Sequence, residues 1–129
     1  MFEYIYFSRP DSILQGKNVY EVRKNIGRQL GKENPDDASL IDIVIPIPDS
    51  GNASALGYSE KIKKPFELGI IRNHYTGRTF IQDSNSVRNL SVKLKHNPNI
   101  SSFKNKNIAL IDDSIVRGTT SIKIVEMLR

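Results

Sequence analysis

The chain has 129 residues, 19 Lys and Arg against 14 Asp and Glu, and no cysteine. That length suits one domain with a core of two or three layers. The missing cysteine excludes disulfide scaffolds, thiolate zinc sites, Fe–S ligation and a cysteine nucleophile within this chain. Hydrophobic residues are 38%, lean enough to leave surface for a partner, and the net charge is +5 (19 − 14). The basic residues are scattered, and their longest cluster is Lys61, Lys63 and Lys64. A nucleic-acid arm needs a denser stripe with interleaved aromatics, so no nucleic-acid partner is expected; the excess is read as solvated surface or attraction for phosphate-bearing small molecules. Ile41 to Pro48, the longest apolar stretch, is interrupted by Asp42 and far shorter than the ~20 residues of a membrane span. Met1 leads into Phe2-Glu3-Tyr4 rather than a basic and then apolar run, so no membrane partner and a cytoplasmic location are expected.

In chain order, the aromatic and β-branched run Phe2 to Phe7 reads as a strand, ended by Arg9-Pro10-Asp11. Val19, Val22, Ile26 and Leu30 recur with a helical period. Asn34-Pro35-Asp36-Asp37 marks a loop. Asp42 to Ile47 reads as a buried strand entering the turn Pro48-Asp49-Ser50-Gly51, and Ala53 to Ile62 as a helix. Phe66 to Ile71 predicts a third strand and Arg72 to Asp83 a long loop. Val87, Leu90 and Leu94 give a weak helix closed by Asn97-Pro98. Asn107 to Ile111 is another strand, and from Thr119 a helix carries Ile122, Val125 and Leu128 on one face. Strands alternating with helices predict an α/β fold with a parallel sheet.

The chemistry concentrates in Ile108 to Ser121, where an apolar strand delivers Asp112 and Asp113 to its carboxyl end. Ligands of open α/β sheets bind at that end. A turn with Gly118 follows, then Thr119, Thr120 and Ser121 open a helix whose free N–H groups and positive end suit a phosphate. Ionised carboxylates accept hydrogen bonds and bind hard cations, so Asp112 and Asp113 suit a vicinal diol, a divalent metal, or both. A phosphate cradle beside a diol acceptor describes a ribose 5-phosphate site. The bland reading, an Asp-Ser helix cap with decorative hydroxyls, leaves the register of strand, acid pair, Gly-Thr-Thr and helix unexplained. A phosphoacceptor receiver domain also uses paired acids at a strand end, but leaves Gly-Thr-Thr without a role.

This segment resembles the phosphoribosyl-pyrophosphate signature of the type I phosphoribosyltransferases, and Asp-Asp-Ser-Ile-Val-Arg-Gly-Thr-Thr is similar to the narrower form of the amidophosphoribosyltransferase family. Phe2 to Ser12 resembles that family's linker into the transferase domain. Pro46 to Gly51 is similar to its pyrophosphate loop, and Asn73 to Ile81 to its active-site loop. The resemblance spans residues 2 to 121 and implies a type I phosphoribosyltransferase fold, incomplete at the C-terminus. Residues 1–17 would be the linker-like segment and 18–129 the binding core, without the N-terminal glutaminase domain.

The resemblance further implies that phosphoribosyl pyrophosphate binds with Mg2+ and that ammonia displaces pyrophosphate to form phosphoribosylamine. Asp112 and Asp113 would hold the ribose hydroxyls and, with Ser50, the metal. The run Ser114, Ile115, Val116, Arg117, Gly118, Thr119, Thr120 and Ser121 would hold the 5-phosphate, and Asp49 and Gly51 would frame the pyrophosphate. Tyr75, Arg78 and Lys95 would stand nearest the chemistry, with Lys93 also able to reach the diphosphate. Read without the resemblance, the Pro-Asp-Ser-Gly turn could merely cap a helix, Tyr75 and Arg78 could be surface residues, and the two lysines a solvated helix face. His74 and His96 receive no role. An Fe–S cluster, present in some family members, finds no ligand here, because Met1 stands where those members have a cysteine. Ammonia would come from the absent glutaminase domain. Purine nucleotides are expected as feedback inhibitors and a homo-oligomer as the full-length state. The alternative is a regulatory module that keeps the phosphoribose pocket without catalysis.

Overall fold

The computed structural model describes residues 2–72 and 96–129. The aromatic run at the start is not a strand. Glu3–Phe7 forms one π-helical turn, with the Phe2 and Tyr6 rings stacked 5.5 Å apart. The reason lies in Arg23, whose buried guanidinium donates to the carbonyls of Tyr4 (2.7 Å), Ile5 (3.3 Å) and Ser8 (2.8 Å). Carbonyl groups at the end of a helical turn carry partial negative charge, and a five-donor guanidinium can serve several at once. A small hairpin follows, β1 (Ile13–Leu14) antiparallel to β2 (Lys17–Asn18), with positive φ at both turn residues, Gln15 and Gly16.

Asn18 then caps α1 (Val19–Glu33), its side chain accepting from the Glu21 N–H at 3.2 Å. The helix is where the periodicity predicts it, but its buried face is Val19, Arg23, Gly27 and Gly31, while Ile26 and Leu30 are partly exposed. The buried row is rotated by one residue, about 100°, from the apolar one. Close helix contact explains the rotation. A Cβ on Gly27 would stand 1.9 Å from the Ser54 carbonyl oxygen, and one on Gly57 would stand 1.9 Å from that of Lys24. Backbones that approach so closely need glycine at the crossing. The partner is α2 (Asn52–Ile62), pinned at its far end by Glu60, which meets Lys24 at 3.0 Å and Arg28 at 2.8 Å.

β3 (Ile43–Pro46) is buried throughout and pairs in parallel with β6 (Ile108–Ile111), Ile43 opposite Ile108 and Pro46 opposite Ile111. Alternation along β3 feeds two cores. Ile43, Ile45 and Ile47 pack with Ile70, Phe103 and Ile124; Val44 packs with Ala55, Tyr58, Ile62 and Ile111. Helices therefore cover both faces of a parallel sheet, α2 on one and α3 (Thr119–Leu128) on the other. The face of α3 differs from expectation: Ile124 is buried, whereas Ile122 is 60% exposed and Val125 39%. Leu128 of the expected row does pack against the Ile43, Ile45 and Ile124 core, together with Met127, so the buried face runs through Ile124 to Met127 and Leu128.

The predicted strand Phe66 to Ile71 is divided. Phe66 makes one parallel bridge with Val44, Gly69 lies against the Ile45 side chain, and only then does β4 (Ile70–Arg72) begin. It pairs antiparallel with β5 (His96–Pro98), which places Asn97-Pro98 in a strand. The predicted helix on Val87, Leu90 and Leu94 and most of the predicted loop lie outside the described residues. Among the described residues no helix is long and apolar enough to cross a membrane.

Candidate functional site

The carboxyl ends of β3 and β6 open onto a cleft of about 720 Å³. Its wall is the segment Asp112 to Ser121 together with Ile47, Ser50 and Lys123. The ladder continues one bond past the strands, Ile47 N–H donating to the Ile111 carbonyl at 2.8 Å, so the two chain turns leave the sheet side by side. Asp112 Oδ1 accepts from the Asp113 N–H at 2.8 Å, and Ser114 Oγ donates to Asp113 Oδ1 at 3.4 Å. Partial burial, then the neighbouring Asp113 carboxyl, push the Asp112 carboxyl up to about 6. An acid raised in this way gains from a cation or a hydroxyl donor placed against it.

Ile115 and Val116 are 72% and 78% exposed on the arch of the loop. Gly118, at φ +71°, turns the chain into α3 without a side-chain cap, and the first turn of α3 holds no acid. Among the described residues, no backbone carbonyl accepts from the N–H groups of Ser114 to Ser121. These donors and the hydroxyls of Thr119, Thr120 and Ser121 lie along one wall, with the acid pair at the end of β6.

The turn after β3 supplies the other wall. Ser50 lines the cleft, whereas Asp49 and Gly51 stand behind it. Gly51 is buried against the sheet: a Cβ there would lie 2.6 Å from the Ile111 carbonyl oxygen and 2.8 Å from that of Ile47. Asp49 is paired with Arg72 on β4 at 3.3 Å. The structure thus brings together Asp112 to Ser121 and Ser50. Tyr75, Arg78 and Lys95, with Lys93 and His74, lie outside the described residues, and His96 is in β5. Sequence reasoning missed Lys123 as a wall residue and Arg72 as the partner of Asp49. The first had a signal, its spacing of three and four residues from Thr120 and Thr119 on a helix.

The acid pair fits a magnesium ion. Among the described residues no group of three or more metal-ligating side chains occurs, and magnesium does not require one: it takes one or two carboxylates and fills its remaining positions with substrate phosphates and water.

No family profile matches the chain. Curated relatives do. Over all 129 residues the chain is 56% identical to the amidophosphoribosyltransferase of Rhizobium etli, covering 25% of that protein, and 55% identical to that of Methanocaldococcus jannaschii, covering 27%. Among solved structures, 99% of the chain superposes on 28% of the glutamine phosphoribosylpyrophosphate amidotransferase from B. subtilis, complexed with ADP and GMP, with a TM-score of 0.85 and 48% identity. The chain spans about a quarter of the length of the curated relatives it matches. In sequence and in fold, the chain is similar throughout its length to that quarter of the amidophosphoribosyltransferases.

Proposed function

We propose that the chain is the phosphoribosyl-pyrophosphate-binding part of an enzyme that makes 5-phosphoribosylamine, the first step of purine synthesis. The observation that carries this reading is the cleft itself. It sets a partly buried acid pair beside an uncapped helix start with three hydroxyl side chains. Asp112 and Asp113 accept the ribose hydroxyls, and the N–H and hydroxyl groups from Ser114 to Ser121 hold the 5-phosphate. Ser50, with Asp49 and Gly51 behind it, faces the pyrophosphate. Residues 18–129 form this binding core, and residues 1–17 lead into it.

In the reaction the ammonia lone pair forms a bond to the anomeric carbon while the carbon–oxygen bond to pyrophosphate breaks, its electrons leaving with the pyrophosphate, and the nitrogen then gives up a proton to the released pyrophosphate or solvent. Positive charge builds on the ribose and negative charge on the leaving group, so the work is positioning and charge compensation. Asp112, Asp113 and Ser50 would hold a magnesium ion together with the substrate phosphates, and that ion would supply charge neutralisation for the leaving group. Tyr75, Arg78 and Lys95 contribute from the segment beyond β4. Ammonia comes from glutamine hydrolysed by a glutaminase domain. Purine nucleotides act as feedback inhibitors of the homo-oligomeric enzyme in the cytoplasm; the B. subtilis structure, complexed with ADP and GMP, supports the nucleotide part.

The test is ammonium-dependent release of pyrophosphate from phosphoribosyl pyrophosphate. Release that disappears in Asp112→Asn/Asp113→Asn supports the enzyme. Tight binding with no release, in the presence of magnesium and ammonium, would favour a non-catalytic phosphoribose-binding module instead.

A further inference from the structure

The charges in the cleft are divided by wall. The acids sit at the end of β6, and the start of α3 carries only cations and neutral donors. Its first turn lacks the Asp or Glu that commonly balances a helix N-terminus. Lys123, half-buried and facing the same cleft, adds a full positive charge one turn further on. A cation near the positive end of a helix is unfavourable unless something compensates it. Among the described residues Lys123 belongs to no ion pair; the four that occur are Arg9 with Asp11, Lys24 and Arg28 with Glu60, and Arg72 with Asp49. Helical spacing puts it on the side of Thr119 and Thr120. An anion seated against those hydroxyls would meet the ammonium as well as the N–H groups.

We infer that Lys123 is a substrate-binding residue for the phosphate held at the start of α3, supplying a charge-assisted contact beyond the loop and its hydroxyls. The inference rests on the phosphoribose reading of the cleft and adds to it the residue that senses the charge of the sugar phosphate. An ammonium is a point charge with three rotatable donors, so it strengthens binding of a dianion without setting its orientation. That task stays with the backbone N–H groups and hydroxyls of Gly118 to Ser121.

Calorimetry with ribose 5-phosphate, and separately with inorganic pyrophosphate plus magnesium, tests this on the chain and on Lys123→Met, Lys123→Arg and Lys17→Met. Lys17, exposed on β2, removes the same unit of net charge away from the cleft. Lys123→Met should weaken ribose 5-phosphate binding roughly tenfold, Lys123→Arg should restore most of it, and Lys17→Met should leave it unchanged. Pyrophosphate binding should be the same in all four proteins. Undiminished ribose 5-phosphate binding in Lys123→Met would overturn the role of Lys123 and leave the phosphoribose reading standing. A loss as large in Lys17→Met would overturn it in favour of net charge, and a loss confined to pyrophosphate would assign the lysine to the other end of the substrate. Failure of the unaltered chain to bind ribose 5-phosphate would sink the phosphoribose reading and this inference together.

Discussion

Replacing Gly51 with alanine separates the packing account from helix propensity, because the two predict opposite signs. Gly51 has φ −79° and ψ −8°, a conformation open to any residue, and it directly precedes α2. On backbone grounds alone Gly→Ala at a compatible site stabilises by about 0.4–1 kcal/mol. The structure predicts a loss. The new Cβ would sit 2.6 Å from the Ile111 carbonyl oxygen, against an ordinary contact of 3.4 Å or more, and 2.8 Å from that of Ile47. Both obstacles are backbone, so the turn must move outward by about 0.8 Å, the gap between those two contact distances. The same carbonyls accept from Ile47 N–H (2.8 Å) and Gly51 N–H (2.9 Å), and these bonds lengthen with the move. Overpacking costs about 1–3 kcal/mol and two weakened hydrogen bonds about 1 kcal/mol together, so the net expectation is a loss of about 2–3 kcal/mol. Urea unfolding followed by circular dichroism measures it. Because Ser50 moves with the turn, pyrophosphate binding should weaken in the fraction that remains folded. A Gly51→Ala variant as stable as the parent, or more stable, would refute the close contact between the turn and the end of β6.

Two further perturbations read other parts of the structure. Asp112 has its carboxyl raised from 3.8 to about 6 by burial and by Asp113, so the folded state holds this proton more tightly than the unfolded one. Stability from this group is complete below about pH 4 and lost as pH rises through 6. A shift of about two units corresponds to roughly 3 kcal/mol, which partial solvent exposure reduces to about 1 kcal/mol. In chelator, Asp112→Asn should therefore gain about 1 kcal/mol over the parent at pH 8 and nothing at pH 4; a difference independent of pH would contradict this. Arg23→Met leaves the carbonyls of Tyr4, Ile5 and Ser8 without their donor. It should cost about 2–3 kcal/mol and speed proteolysis within residues 3–12, and unchanged cleavage there would contradict the clamp.

What could be read in the sequence followed from how local its cause was. β3 is an unbroken apolar run because it is covered on both faces, and β6, half-buried until Ile111, is apolar throughout as well. The cleft wall from Asp112 to Ser121 was legible because strand end, acids, turn and helix start are contiguous. The opening aromatic run shows the limit. Phe2 to Phe7 has the composition of a strand, but among the described residues no strand pairs with it, and Arg23, sixteen residues beyond its end, holds it as a helical turn. Helix faces were misjudged for a related reason. Ile26 and Leu30 carry the apolar period, yet Gly27 and Gly57 permit a crossing tight enough to bury the neighbouring row. On α3, Ile122 and Ile124 both lie on plausible faces, and only the packed core distinguishes them. Lys123 was legible only through its helical spacing from Thr119 and Thr120, because no motif singles it out.

Binding of phosphoribosyl pyrophosphate, measured by calorimetry with and without magnesium on the chain and on Asp112→Ala/Asp113→Ala, is the most direct test of the central claim. Magnesium-dependent binding in the parent, abolished in the double variant while its circular dichroism is unchanged, is the result predicted for a phosphoribose cleft built on the acid pair. Binding that survives loss of both acids, or a folded parent that does not bind, would contradict it.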